Sequence, residues 1–166
     1  MIKREDIINR YDEPITNWMA RWSIPFLRIS VGIVFLWFGL LKFFPGLSPA
    51  QGLAIRTIDT LTFGLLQEEF IIYTLAIWES LIGIGLIFKI YLRETLALLF
   101  LQMAGTITPI FIFPGEVFTQ IPYGLTLEGQ YIVKNIVVIS AALTIGATVR
   151  GGRLVANSGE DKQAPT

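Results

Sequence analysis

The sequence predicts an all-α membrane protein: a four-transmembrane-helix bundle, with short interfacial helices before span one and between spans one and two. Three observations carry this prediction. Hydrophobic residues make up 53% of the 166 and charged residues only 16%, where an ordinary soluble domain has about 25% charge. The apolar residues are gathered into four blocks, each close to the ~20 residues that cross a hydrocarbon core as a helix. No block alternates polar and apolar residues as a barrel strand does, and a helix satisfies its own backbone groups, as hydrocarbon requires.

Residues 1–23 form the first segment. Within Ile15-Thr-Asn-Trp-Met-Ala-Arg-Trp22, the apolar Ile15, Trp18, Met19 and Trp22 share one helical face, which suits a headgroup layer. Span one covers about 24–44. It is longer than the ~7–15 residues of a signal core, and a long charged segment precedes it, so it is expected to stay as a membrane span. Between spans one and two, Ser48-Pro49-Ala50-Gln51 reads as an N-cap, a first-turn Pro and a capping-box Gln. Ala54, Ile58, Leu61 and Leu65 then make an apolar stripe, with Arg56, Asp59 and Thr60 facing away, predicting a short outer interfacial helix. Spans two, three and four cover about 70–90, 95–113 and 131–149. The loop from Pro114 to Gln130 holds helix breakers and no Lys or Arg. The tail, 150–166, ends in a run with almost nothing to bury and is expected to be disordered. No internal repeat is evident.

Positive charge orients the chain. Of the 13 Lys and Arg residues, Lys3, Arg4, Arg10, Arg21, Arg28, Lys89, Arg93, Arg150, Arg153 and Lys162 fall on one side, leaving only Lys42, Arg56 and Lys134 on the other. The positive-inside rule places both termini in the cytoplasm, in a multi-pass protein of the cell (inner) membrane. Small residues predict close helix packing: Gly32 and Gly39 on span one, Gly83 on span two, Ala142 and Gly146 on span four.

Composition also limits the chemistry. The chain has neither Cys nor His, so no disulfide, iron–sulfur cluster or Cys zinc site can come from its own side chains. The commonest metal ligand and the base tuned to neutral pH are missing too. Zero formal net charge argues against a nucleic-acid partner, which needs a basic footprint.

The candidate site lies in polar residues placed within hydrocarbon. Glu79 falls near the middle of span two, where an unpaired charge costs at least ~2.5–3.5 kcal/mol. Side chains lean toward their own helix N-terminus. Lys42 therefore leans inward from the outer end of span one, and Glu79 leans outward, so the two converge if their helices face each other; otherwise Lys42 snorkels to the headgroups. Asn135 needs a partner on a neighbouring helix, and Gln102, Thr106 and Thr108 could face the same centre or, for the hydroxyls, bond their own helix. Lys134 is expected to snorkel or to meet Glu128, and Arg28 to snorkel toward the cytoplasm. Trp37 and Trp78 are too deep for an interface belt. They read as core packing, or as flat walls for an aromatic ligand.

The run Arg28-x3-Gly32-x5-Phe38-Gly39-x2-Lys42 resembles the DoxX-like integral membrane protein family, as do Glu79-x3-Gly83 followed by Arg93, and Lys134-Asn135 opening the last span. The likeness covers residues 24–150. A second, weaker resemblance is to inner-membrane proteins of reactive-chlorine resistance. Family members often carry His where this chain has Phe38, so no proton or ligand role carries over to that position. The resemblance implies a four-helix membrane protein, and for some relatives a place in quinone-linked redox systems.

Three functions are weighed. The first is a membrane subunit of an oxidoreductase that binds a quinone or other small amphiphile in the outer half of the bundle, with no covalent cofactor and with electrons carried by a redox partner. The second is a non-enzymatic assembly subunit in which Glu79 and Lys42 clamp helix register and the interfacial helices dock a membrane-complex partner. The third, a small transporter, requires a homo-oligomer and lacks the broken half-helices of that class. The residues supply no complete active site, so the chain is at most the membrane subunit of a quinone-linked oxidoreductase, and the lipid bilayer is the one partner common to all three.

Overall fold

The computed structural model describes residues 4–44, 46–48 and 50–155. The expected disorder after Ala156 lies outside them. Four helices are long and apolar enough to cross a membrane. They are α1 (Arg4–Leu41), α3 (Glu68–Phe88), α4 (Leu92–Ile107) and α7 (Leu127–Ala147). After Thr108, which keeps helical geometry, α4 is prolonged by the single turn α5 (Pro109–Ile112). The four pack as a ring in chain order, α1 against α3, α3 against α4, α4 against α7, and α7 back against α1.

The expected interfacial helix before span one is not a separate element. Helix α1 runs unbroken for 38 residues through Pro14 and Pro25, about 57 Å at the rise of an α-helix. No residue between 15 and 24 supplies a stop, so the helix continues and its first half projects beyond a ~30 Å core. The expected face is present on that projection: Ile15, Trp18, Met19 and Trp22 are all exposed.

The second interfacial helix forms as α2 (Gln51–Leu61), but with a different start. Its N-cap is Ala50 in the left-handed conformation, with no side-chain cap, so the predicted Ser48 cap does not form. The inward face also shifts by one residue. Leu53 and Thr57 are buried, with Ala54 and Ile58 beside them, whereas Leu61 is exposed and Leu65 lies past the helix end.

Helix α7 begins four residues earlier than expected, because its first turn is polar. Thr126 caps it by accepting a hydrogen bond from the Gly129 N–H at 3.0 Å, and Glu128 lies in that turn. The preceding loop contains a one-turn helix α6 (Pro114–Val117) and a small antiparallel hairpin, β1 (Phe118–Gln120) with β2 (Gly124–Leu125), where Phe118 pairs with Leu125. Val117, Leu53 and Ile132 pack together, and the Arg56 guanidinium on α2 bonds the Glu116 carboxylate on α6. The loop thus seats α2 across one end of the ring.

The core holds Val31, Phe35, Ile82, Leu86, Leu99 and Ile145 among others. The bundle's outer faces are apolar as well, with Ile33, Trp37, Ile77, Leu81, Leu101, Ile136 and Val137 exposed. Such a surface suits lipid rather than water. The α1–α3 seam is the closest. A Cβ on Gly83 would stand 2.5 Å from the Leu36 backbone nitrogen, and one on Gly39 2.8 Å from that of Ser80. On α7, Ala142 is fully buried, but a Cβ on Gly146 would meet only the Leu96 side chain at 3.7 Å, an ordinary contact. Gly146 is therefore not a point of close helix approach.

Candidate functional site

The polar residues converge beneath α2, each spanning helix contributing. Positions 35, 39 and 42 follow the 3.6-residue period, so the inward face of α1 ends at Lys42. This residue leaves the helix in a turn, its N–H bonded to the Gly39 carbonyl. Its ammonium leans back into the bundle, 2.6 Å from Glu79 Oε2 and 3.4 Å from the Phe38 carbonyl. Both side chains of the pair are about one-tenth exposed. Glu79 sits eleven residues into α3, about 16 Å along its axis. Its second oxygen accepts from Gln102 Nε2 of α4 at 2.9 Å. One turn further along α4, Thr106 Oγ1 accepts from Asn135 Nδ2 of α7 at 3.1 Å and donates to the Met103 carbonyl at 2.9 Å.

Two cavities share this polar group as a common wall. One, of about 320 Å³, runs out between α1 and α7 past Phe38, Asn135 and Val138. The other, of about 390 Å³, runs out between α3 and α4 past Trp78, Leu101 and Gly105. Lys42, Glu79, Gln102 and Thr106 line both, and Ala50 and Ala54 of α2 roof both. Because the α1/α7 and α3/α4 grooves lie on opposite sides of the ring, the polar centre opens laterally in two directions. Exposed apolar Val34 borders the first opening and Leu101 the second.

Trp78 lies on the wall of the second cavity, half-buried, its indole N–H donating to the Leu98 carbonyl at 3.3 Å. Trp37 does not join it. Two residues from Phe35, it is turned about 200° around α1, is 65% exposed, and lines neither of these two cavities. Lys134 lines the rim of the first cavity with an exposed side chain. It makes no ion pair with Glu128; its ammonium stands 5.7 Å from the centre of the Tyr131 ring. Arg28 does not simply snorkel. It donates to the Leu86 and Ile87 carbonyls, groups that the end of α3 leaves without helical partners.

Sequence reasoning missed Phe38 as a cavity wall and Ala50 and Ala54 as the roof. The small pair at i and i+4 on an interfacial helix was the available signal. Among the described residues, no group of three acidic side chains could hold a metal ion. The site offers a carboxylate between an ammonium and an amide, plus a second amide and a hydroxyl, in a cleft whose other walls are apolar. Such a set can orient a small polar head by hydrogen bonds while its apolar remainder lies in a groove.

No protein-family model matches the chain, and comparison with curated proteins and with solved structures finds no match.

Proposed function

We propose that the chain is a multi-pass membrane subunit of the DoxX-like kind, with both termini cytoplasmic. It binds a quinone or another small amphiphile in the cleft beneath α2, as part of a redox-linked complex. The observation that carries this reading is the buried Lys42–Glu79 pair with Gln102 beside it, forming the common wall of two apolar cavities that open between helices. A carbonyl or hydroxyl head finds donors in Lys42, Gln102 and Asn135 and an acceptor in Glu79. Its tail leaves through either lateral groove, so the ligand exchanges with the bilayer rather than with water. Glu79 and Lys42 supply proton exchange, Asn135 and Thr106 orientation, and Trp78 a flat wall. Electrons pass through a partner's cofactor.

The test is titration of the purified protein in mild detergent with a short-chain quinone, read by quenching of tryptophan fluorescence. Bound quinone is measured separately by solvent extraction and absorbance. Wild type binds stoichiometrically. Glu79→Gln and Asn135→Leu each weaken binding roughly tenfold, the scale of one or two lost hydrogen bonds, and Trp37→Phe binds as wild type does. Equal loading of wild type and Glu79→Gln refutes the site.

A second reading, an assembly subunit, draws on the exposed apolar face of α1 at Ile15, Trp18, Met19 and Trp22. It is favoured if a co-purifying partner is lost when that face is altered while Glu79→Gln has no effect.

A further inference from the structure

The end of the bundle opposite α2 carries a further cavity of different character. About 470 Å³ in volume, it is enclosed by α1, the end of α3 and the chain leaving α7. Three cations line it, one from each of these elements: Arg21, Lys89 and Arg153. No Asp or Glu lines it. Among the described residues no hydrogen bond or ion pair engages any of the three cations; Arg21 only stands over the Trp22 ring at 5.9 Å. Three like charges on the wall of one cavity repel one another, and an anion between them removes that repulsion.

The surroundings say which anion. The remaining wall includes Ala20, Ile24 and Leu154, an apolar floor beside the charges, and Gly151 and Gly152, whose backbone brings no side chain into the space. At the same level α1 carries a stripe of exposed aromatics, Trp18, Trp22 and Phe26. The Trp18 and Trp22 rings lie 6.3 and 6.4 Å from Phe26, and Trp is enriched at the headgroup depth of a bilayer. Basic pockets between spanning helices at this depth hold phosphate-bearing lipid heads. A soluble anion would need the charges but not the apolar floor.

We propose that this cavity is a binding site for an anionic phospholipid, its phosphate held between Arg21, Lys89 and Arg153 and its acyl chains starting along Ala20 and Ile24. The site rests on the membrane reading given above but not on the ligand cleft beneath α2, which lies at the other end of the bundle. The bound lipid ties α1, α3 and the segment after α7 together at their charged ends.

The full chain in neutral detergent is titrated with phosphatidylglycerol, with phosphatidylcholine and with inorganic phosphate, and complexes are counted by native mass spectrometry. Wild type retains one phosphatidylglycerol in preference to phosphatidylcholine. Arg21→Gln, Lys89→Asn and Arg153→Gln each weaken retention about fivefold, and the triple variant about a hundredfold, from roughly one surface cation's contribution apiece. Asn is chosen at position 89 because Lys89 has φ 58°, a conformation Asn tolerates. Arg93→Gln and Arg150→Gln remove equal charge outside the cavity and stay within twofold of wild type. If these two weaken retention as much as the cavity variants do, the attraction is general and the site is overturned. If inorganic phosphate binds alone and displaces the lipid at equal molarity, the lipid assignment is overturned in favour of a soluble anion. Size-exclusion profiles of every variant matched to wild type exclude misfolding as the cause.

Discussion

Replacing Lys42 by Met removes the ammonium from a buried pair while keeping the length of the side chain. The two partners are 9% and 8% exposed, so water screens them weakly, and breaking such a pair costs about 3–5 kcal/mol. Glu79 keeps the 2.9 Å hydrogen bond from Gln102, so its charge is not left wholly unpartnered. The lower figure, about 3 kcal/mol, therefore applies, equivalent to roughly 6–12 °C in the unfolding midpoint for a chain of this size. Glu79→Leu should cost about the same, because it strands Lys42 with only a 3.4 Å contact to the Phe38 carbonyl. The double variant strands neither charge. It should cost no more than either single change, a coupling of about 3 kcal/mol. The assay is equilibrium unfolding in mixed micelles with increasing sodium dodecyl sulfate, followed by tryptophan fluorescence, over the complete double-mutant cycle. Single effects that add to within about 0.5 kcal/mol would show that the pair does not hold α1 to α3.

Gly83→Leu should abolish folding or lower the midpoint sharply, because its Cβ already has no room against the Leu36 backbone at 2.5 Å, whereas Gly146→Ala should leave the same unfolding curve unchanged. Arg28→Met should destabilise the bundle by about 1–3 kcal/mol by uncovering carbonyls at the end of α3; an unchanged midpoint would mean those groups find other partners. Arg56→Gln cuts the ion pair from α2 to Glu116. Its side chain is 59% exposed, so stability should change by less than ~1 kcal/mol, and hydrogen exchange confined to 51–61 should rise.

The four spans were legible because hydropathy is a sum over consecutive residues and needs no knowledge of neighbours. Their ends were less so. The first turn of α7 is polar, held by the Thr126 cap, and adds no hydropathy signal to mark it. The lean of side chains toward the helix N-terminus already directed Lys42 and Glu79 toward each other, but the rotation of each helix about its axis was unread. That rotation turns Trp37 outward and Trp78 toward a cavity, although both looked alike as deep indoles. Arg28 was misread for a related reason: its partners are backbone carbonyls of another helix, which carry no sequence label.

From the sequence alone came the number of hydrophobic helices, the asymmetry of their flanking charge, and the need of a mid-helix carboxylate for shelter. These follow from the transfer energies of individual residues. Only the tertiary structure decided that Lys42 and Gln102 provide that shelter, that α2 roofs two grooves, and that Arg21, Lys89 and Arg153 line one cavity at the far end. Such choices depend on how closely the backbones approach at Gly39 and Gly83, and hence on which faces the helices turn toward each other.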